Sequence, residues 1–149
     1  MLSVPVKPQP DGQLRLHAST VSYNHKALVI AGPGGSGKSS LALRMMSLGA
    51  TLIADDITAL ANTLGHVTAH SPSTLPALIE VRGLGLLNAP VHTGEGVGAV
   101  LDLGTDEAER LPPVRHLSLL GQNVPLLHKP ATPYIAEAMI HYLRYGRSD

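Results

Sequence analysis

The chain has 149 residues, the usual size of one domain and enough to bury a hydrophobic core. Its 11 basic and 11 acidic residues are interspersed, and it contains no Phe, no Trp and no Cys. The interspersed charges and the lack of Phe and Trp exclude a basic nucleic-acid surface with stacking aromatics. The lack of Cys excludes disulfides and thiolate metal sites. No signal peptide or apolar run of membrane length occurs, so we expect a soluble cytoplasmic protein without nucleic-acid or membrane partners.

The first elements predicted in chain order are a leader and a hairpin. Residues 1–12 contain three prolines and no apolar periodicity, which predicts a flexible N-terminal leader before a domain over residues 13–149. Residues 13–23 alternate between polar and apolar positions, as a strand does. A turn-like triplet leads from there into a short apolar run at residues 26–31, so we predict that the two strands form a hairpin.

A glycine-rich stretch after the second strand matches the phosphate-binding pattern G-x-x-x-x-G-K-[ST]. Its members are Gly32, Pro33, Gly34, Gly35, Ser36, Gly37, Lys38 and Ser39, and Ser40 follows. Glycines let successive backbone N–H groups turn toward one anion, and the N-terminus of the next helix adds unpaired amides. In such a loop the lysine contacts the β and γ phosphates and the serine hydroxyl binds Mg²⁺. The pattern therefore predicts a nucleotide phosphate site.

The loop is predicted to open a helix over residues 38–48 that ends at Gly49. The next strand ends in two acids, Asp55 and Asp56. An acid at the carboxyl end of a strand beside the loop strand can face the phosphates or their metal. Two adjacent acids on a continuing strand point opposite ways, so one can serve the metal and the other the substrate. The alternative is a strand-ending turn with solvated carboxylates.

The second half of the chain is predicted to hold further strands and a last helix. Two strands are predicted to meet at a turn around residues 64–65. Within residues 78–90 a strand leads into an irregular functional loop, and a further strand is predicted at residues 97–103. Thr132 as N-cap and Pro133 at the first helical position predict the start of the final helix.

Four features of the chain occur in the order and spacing of a known family. His17 stands fifteen residues before Gly32, the glycine-rich loop and the acid pair follow, and residues 80–88 read EVRGLGLLN. Over about residues 13–146 they resemble the catalytic domain of bacterial HPr kinase/phosphorylase, whose signature reads EIRGLGIIN. The short alphaproteobacterial form, which lacks a separate N-terminal domain, is the nearest in extent. The resemblance implies an α/β fold: one P-loop kinase domain with a central mixed sheet, the HPr kinase/PEP carboxykinase-like fold.

The resemblance implies an ATP-dependent kinase that phosphorylates a seryl hydroxyl of the phosphocarrier protein HPr and so regulates the phosphotransferase system. Asp56 would accept the proton of that hydroxyl, with His17 as a supporting catalytic residue and Lys38 neutralising the transferred phosphate. Arg110 matches a phosphate-binding arginine of the family. The alternative interpretation of Arg110 is a solvated charge at the end of a helix.

The same resemblance implies a divalent cation, Mg²⁺ or Mn²⁺, bound with ATP. Ser39 and Glu80 would hold the metal, and we assign Asp55 to the metal side of the acid pair. We also expect a homo-oligomer.

The chain departs from the family pattern at several positions. Ala18 replaces a glycine after the histidine, and Ser40 replaces a glutamate after the loop serine. An arginine-rich loop near the C-terminus of long members is reduced to LLHKPATP, in which Lys129 is the only Lys or Arg. That loop is tied to dephosphorylation, so we expect weak phosphorylase activity.

Two other functions are compatible with the loop alone. One is a small-metabolite or nucleotide kinase, which usually covers its acceptor with an arginine-bearing lid. The other is a non-catalytic ATP-binding regulator. The scattered basic residues count against the first, and the presence of Lys38, Ser39, Asp56 and Glu80 counts against the second.

Overall fold

The fold is built from strands and two helices, and the computed structural model describes it over residues 1–72, 78–90 and 92–148. The strands are β1 (Lys7–Pro8), β2 (Leu14–Tyr23), β3 (Lys26–Ala31), β4 (Thr51–Ala54), β5 (Ile57–Thr63), β6 (His66–His70), β7 (Leu78–Val81), β8 (Gly85–Asn88), β9 (Glu95–Asp106), β10 (Arg115–Leu119) and β11 (Gln122–Lys129). The helices are α1 (Lys38–Ser47) and α2 (Ile135–Tyr145).

Two long strands, β2 and β9, connect the parts of the sheet because each pairs with different strands along its length. The start of β2 pairs with β1 and β5, and its remainder pairs with β3 and β4, all antiparallel. The start of β9 pairs with β6, and its remainder lies parallel to both β3 and β11. The result is a nine-stranded mixed sheet, so the predicted α/β fold with a central mixed sheet is confirmed.

The strand before the glycine-rich loop, β3, is buried on both faces. Ala27, Val29 and Ala31 face a core shared with the antiparallel strands, whereas Leu28 and Ile30 face a core shared with both helices. Strand side chains alternate between faces, so a strand between two cores needs an apolar residue at every position. Full burial of one large apolar side chain contributes about 1.5–3 kcal/mol. The loop therefore starts from the rigid centre of the molecule.

Helix α1 begins where the sequence predicts it and packs on the core. Its N-cap is Gly37, and it buries Leu41, Ala42 and Met45. The chain leaves the helix at Gly49, whose φ of 109° is in the left-handed region that glycine adopts without strain. Neither helix of the described ranges is long and apolar enough to cross a membrane.

Residues 1–12, for which the composition predicts a flexible leader, are attached to the sheet. Strand β1 pairs with β2, and Val4 is buried in the core between the sheet layers. The backbone N–H of Ser3 donates a hydrogen bond of 2.7 Å to the carboxylate of Asp102, and its hydroxyl donates a second of 2.5 Å. The structure corrects the prediction because these contacts join residues far apart in sequence, which prolines and local periodicity do not report.

Three further local predictions are corrected. The segment after β7, expected to be irregular, turns back at Gly83 and forms β8, so that residues 78–88 are a hairpin. Strand β11 includes the first four residues of LLHKPATP, expected to be a loop, because it pairs with both β9 and β10. Helix α2 has Tyr134 as its N-cap instead of Thr132, whose hydroxyl accepts a hydrogen bond from the Tyr134 N–H. Only the pairing of β11 with β9 involves residues far apart in sequence, whereas the hairpin and the cap form within their own segments.

The core between sheet and helices provides a direct test of the fold. Leu101 is fully buried on β9, whereas Leu111 is 73% exposed. Leu101→Ala removes buried methyl groups and leaves a cavity, so we expect it to lower the free energy of unfolding by about 2–5 kcal/mol. Leu111→Ala should change it by less than about 0.5 kcal/mol. Urea unfolding of both variants measures the difference, and similar values for the two would contradict the assigned core.

Candidate functional site

A cavity of about 430 Å³ lies at the glycine-rich loop. Its wall consists of Gly34, Gly35, Gly37, Lys38, Ser39, Ser40, Leu43, Asp56, Glu80, Val81 and Arg82. The structure thus brings six predicted loop residues together with one of the paired acids and with the start of the EVRGLGLLN segment. Gly32, Pro33 and Ser36, the other predicted loop residues, do not line the cavity.

The loop itself has a conformation that glycine permits. Gly32, Gly35 and Gly37 have φ values of 154°, 80° and 99°. A Cβ on Gly32 would also meet the hydroxyl of Ser36 at 2.6 Å. That hydroxyl is buried, and within the described ranges it is the only such side-chain oxygen or nitrogen without a hydrogen-bond partner. A tight backbone cradle with an unpaired hydroxyl behind it fits an anion-binding loop.

The ammonium group of Lys38 is held against the start of the loop. It donates hydrogen bonds to the carbonyl of Gly32 at 2.8 Å and to that of Pro33 at 3.1 Å. Lysine carries its charge on a flexible stem with three donors, so the group can bind loop carbonyls and still face the cavity. The loop and the first turn of α1 therefore supply a positive charge and free amides at one place.

Asp55 connects three elements through its carboxylate. Its Oδ1 accepts hydrogen bonds of 2.7 Å from both the Ser19 and Ser39 hydroxyls, and its Oδ2 accepts one of 3.3 Å from the backbone N–H of Glu80. Ser19 lies on β2, Ser39 on α1 and Glu80 on β7. The acid thus fixes the loop serine relative to the sheet.

Asp56 is exposed and lies beside His17. The chain turns after β4, and Asp56 has a φ of 69°, a left-handed conformation that Asp adopts more readily than most residues. Its Oδ1 lies 3.9 Å from Nδ1 of His17, and the two side chains are 80% and 54% exposed. The carbonyl of Asp56 accepts a hydrogen bond from the backbone N–H of Ala18. An exposed acid and an imidazole therefore meet at the edge of the cavity.

The oxygen atoms near the loop match the preference of Mg²⁺. A serine hydroxyl and carboxylates are ligands of hard cations, and magnesium usually takes one or two from the protein and the rest from phosphates and water. Among residues 1–72, 78–90 and 92–148 there is no cluster of three His, Cys, Asp or Glu side chains suited to a metal. Ser39 and Glu80 line the cavity, and the Asp55 carboxylate accepts hydrogen bonds from the Ser39 hydroxyl and the Glu80 backbone, so oxygen donors of the kind that magnesium takes lie next to the loop.

Arg110 is not brought to this cavity. The chain leaves the sheet after β9, and exposed Arg110 lines a second cavity of about 560 Å³ together with Glu107 and Arg115. A hydrogen bond from Arg115 to the Glu107 carboxylate lowers the pKa of that acid and raises the pKa of the guanidinium. The structure gives no contact between Arg110 and the other predicted catalytic residues. Arg110 thus lies in the wall of the second cavity, and its role as a phosphate-binding arginine stays a prediction.

Comparison with known proteins identifies this arrangement. The family model for the HPr Serine kinase C-terminal domain matches residues 12–102. The chain belongs to the HPr serine kinase C-terminal domain family. The match includes the loop, both acids, His17 and Glu80, and it ends before Arg110 and Lys129.

Named relatives and a solved structure agree with the family. The HPr kinase/phosphorylase of Clostridium tetani is 34% identical over 93 residues, which are 62% of this chain and 30% of the relative. That of Bordetella pertussis is 40% identical over 97 residues, covering 57% of this chain and 32% of the relative. The chain thus spans about a third of the length of these relatives. The Hpr(Ser) kinase/phosphatase from Coxiella burnetii has the same fold, with a TM-score of 0.74, 22% identity and coverage of 87% of this chain and 88% of that chain.

Two polar residues of this family member's site, Ser19 and Arg82, were not predicted, and neither were the apolar wall residues Leu43 and Val81. Ser19 is fully buried and donates to Asp55, and Arg82 is a second basic residue in the wall of the cavity that Lys38 lines. The period of two along β2 puts Ser19 on the same side as His17, which could have indicated it. Arg82 lies inside the EVRGLGLLN segment, and only the hairpin brings it to the loop.

The two adjacent acids should contribute differently to stability. Asp55→Asn replaces an acceptor by an amide N–H opposite the Glu80 backbone N–H and weakens the hydrogen bond of the buried Ser19 hydroxyl. We expect it to lower the free energy of unfolding by about 1–3 kcal/mol, because buried donors then lack full partners. Asp56→Asn, on an exposed side chain whose left-handed φ Asn tolerates, should cost less than about 0.5 kcal/mol. Thermal and urea unfolding would refute the assignment if Asp56→Asn proved the more costly change.

Proposed function

We propose that the chain is an ATP-dependent protein kinase that transfers phosphate to a seryl hydroxyl of an HPr-like phosphocarrier protein. The observation that carries the proposal is that Asp56, whose carboxylate lies 3.9 Å from His17, lines the cavity whose wall also contains Lys38 and Ser39. A nucleotide-binding protein without transfer chemistry has no need of an exposed acid at that position. The names of the relatives support HPr as the acceptor.

The proposed chemistry depends on charge and position. In phosphoryl transfer the protein mainly aligns the two reactants and neutralises charge on the moving group. Lys38 and Arg82, which line the same cavity, would supply positive charge, and the loop amides would bind phosphate oxygens. Ser39, Asp55 and Glu80 would hold Mg²⁺ or Mn²⁺, and the metal would supply charge neutralisation at the phosphates.

Asp56 is proposed as the general base. A serine hydroxyl is a poor nucleophile at neutral pH, and a carboxylate within hydrogen-bond reach orients it and takes its proton as transfer proceeds. His17 lies next to this carboxylate and is proposed to position it. The solvent exposure of Asp56 leaves room for a protein acceptor, which a buried acid would not.

The remaining features of the proposal concern the reverse reaction, the oligomeric state, the location and the regulatory role of the protein. We propose weak phosphorylase activity, because Lys129 is the only Lys or Arg in the segment LLHKPATP, whereas long members of the family have an arginine-rich loop there. A homo-oligomeric state, a cytoplasmic location and a role in regulating the phosphotransferase system belong to the same proposal.

The assignment of the base predicts a specific loss. Asp56→Asn should keep ATP binding, because the side chain faces the acceptor side, and should slow phosphorylation of an HPr-like protein by about two to four orders of magnitude. Labelled ATP with Mg²⁺ measures transfer, and calorimetry measures nucleotide binding. Asp106→Asn is the control, since Asp106 is an exposed acid at the end of β9 outside the cavity wall. An undiminished rate for Asp56→Asn would overturn the base assignment, and no transfer by the wild type would overturn the function.

The direction of the reaction is a second prediction. The wild-type protein should phosphorylate HPr serine readily and release phosphate from phosphoserine-HPr slowly, even with ample inorganic phosphate, because the cationic residues at the end of β11 are few. Parallel assays of the two directions with one protein preparation measure the ratio. Rapid phosphate-dependent release would mean that the missing arginines are not required.

A further inference from the structure

A buried carboxylate lies behind the glycine-rich loop and takes no part in the site described above. Asp102 is fully buried near the end of β9 and lies opposite Ala31 in the pairing of β9 with β3. Ala31 is the last residue of β3, and Gly32 begins the loop. Asp102 and the two residues after it therefore lie next to the start of the loop.

Four hydrogen bonds hold this charge. Ser3 donates its backbone N–H at 2.7 Å and its hydroxyl at 2.5 Å, the backbone N–H of Gly104 donates at 2.9 Å, and the Thr105 hydroxyl donates at 3.2 Å. Burial raises the pKa of Asp102, but these hydrogen bonds outweigh burial and bring the pKa below its ordinary value. The carboxylate is thus ionised at neutral pH and binds the N-terminal segment to the end of β9.

This cluster contacts the loop at Gly104. A Cβ on Gly104 would lie 2.1 Å from the Ser3 hydroxyl and 2.8 Å from Cδ of Pro33, so this glycine backbone is packed against both. A Cβ on Gly32 would likewise meet Cβ of Leu103 at 3.3 Å. The rear of the loop therefore rests on residues 103–104, whose position is set by Asp102 and Ser3.

The contact reaches the cavity through Lys38. The carbonyls of Gly32 and Pro33 are the acceptors of its ammonium group. A shift of Pro33 by a few tenths of an ångström would therefore move the charge that faces the phosphates. Misplacement of a group by about 1 Å already has large effects on phosphate binding and transfer.

We propose that Asp102, Ser3 and Gly104 form a rear support that positions the phosphate-binding loop, with Asp102 and Ser3 as positioning residues for nucleotide binding. This inference rests on the proposed nucleotide site but concerns residues that do not line it. Because the support includes Ser3, changes at this position of the N-terminal segment act on nucleotide affinity as well as on stability.

The sharpest test is steric and has a control on the same strand. Gly104→Ala forces Ser3 or Pro33 to move, whereas Gly96→Ala adds a methyl group on β9 with no atom within 4 Å of it. We expect Gly104→Ala to weaken ATP binding about three- to thirtyfold and to speed hydrogen exchange of the Ser36 amide, which donates to the Pro33 carbonyl, in the nucleotide-free protein. Gly96→Ala should change neither. Equal ATP affinity and equal loop exchange in the two variants would overturn the proposal.

A second pair of variants separates positioning from general stability. Ser3→Ala removes one hydrogen bond to Asp102 and leaves the carboxylate and the loop sequence intact, so a folded protein is expected. Glu107→Gln weakens another hydrogen-bonded carboxylate, which contacts Arg115 beside the second cavity. Only Ser3→Ala should lower ATP affinity and loop protection. If both variants lower ATP affinity in proportion to their loss of stability, Asp102 and Ser3 have a structural role alone.

The exchange measurement also separates this proposal from the proposed function. Loop protection is measured without nucleotide, so it reports on the rear support even if the wild-type protein binds no ATP. In that outcome the proposed function fails, and faster exchange in Gly104→Ala is still evidence that the rear support positions the loop. Normal ATP binding by the wild type with unchanged loop exchange in Gly104→Ala refutes the rear support alone.

Discussion

The arrangement of the site depends on the hydrogen bonds that the Asp55 carboxylate accepts. This carboxylate binds hydroxyls from β2 and α1 and a backbone N–H from β7, so three elements that are distant in sequence meet at one acceptor. A buried hydroxyl such as that of Ser19 needs a partner, because an unpaired one costs about 1–3 kcal/mol. The same bonds orient Asp55 inward, and the left-handed turn after it leaves Asp56 exposed next to His17.

The phosphate-binding loop is constrained from two sides. On the side of the cavity, Ser39 is fixed by Asp55. On the rear, Gly104 and Leu103 lie against the start of the loop, and Asp102 holds them together with Ser3. Glycines are needed to make the loop, but they also cost conformational entropy when it is ordered. Contacts on both sides offset that cost, which explains why a loop with four glycines can have one defined conformation.

Sequence patterns predicted the parts of the site that are contiguous. The glycine-rich loop, its helix and the acid pair are each encoded within a few residues, and β3 is recognisable because every residue after Lys26 is apolar. His17 was assigned through the family resemblance, and its 3.9 Å distance from Asp56 agrees with a shared role. Arg110 was assigned by a weaker match, and the chain beyond β9 carries it to another cavity.

The sequence by itself determined the elements around the loop, the loop and the pair of acids, because strand alternation, helix periodicity and glycine spacing are properties of neighbouring residues. The fold class followed from the resemblance of these motifs to a known family. Only the tertiary structure decided which distant groups meet. It attached residues 1–12 to the sheet, paired β11 with β9, and made Ser19 and Arg82 part of the site. Each of these depends on contacts between residues far apart in the chain, and such contacts form only when a buried polar group or a strand edge finds its partner in the folded molecule.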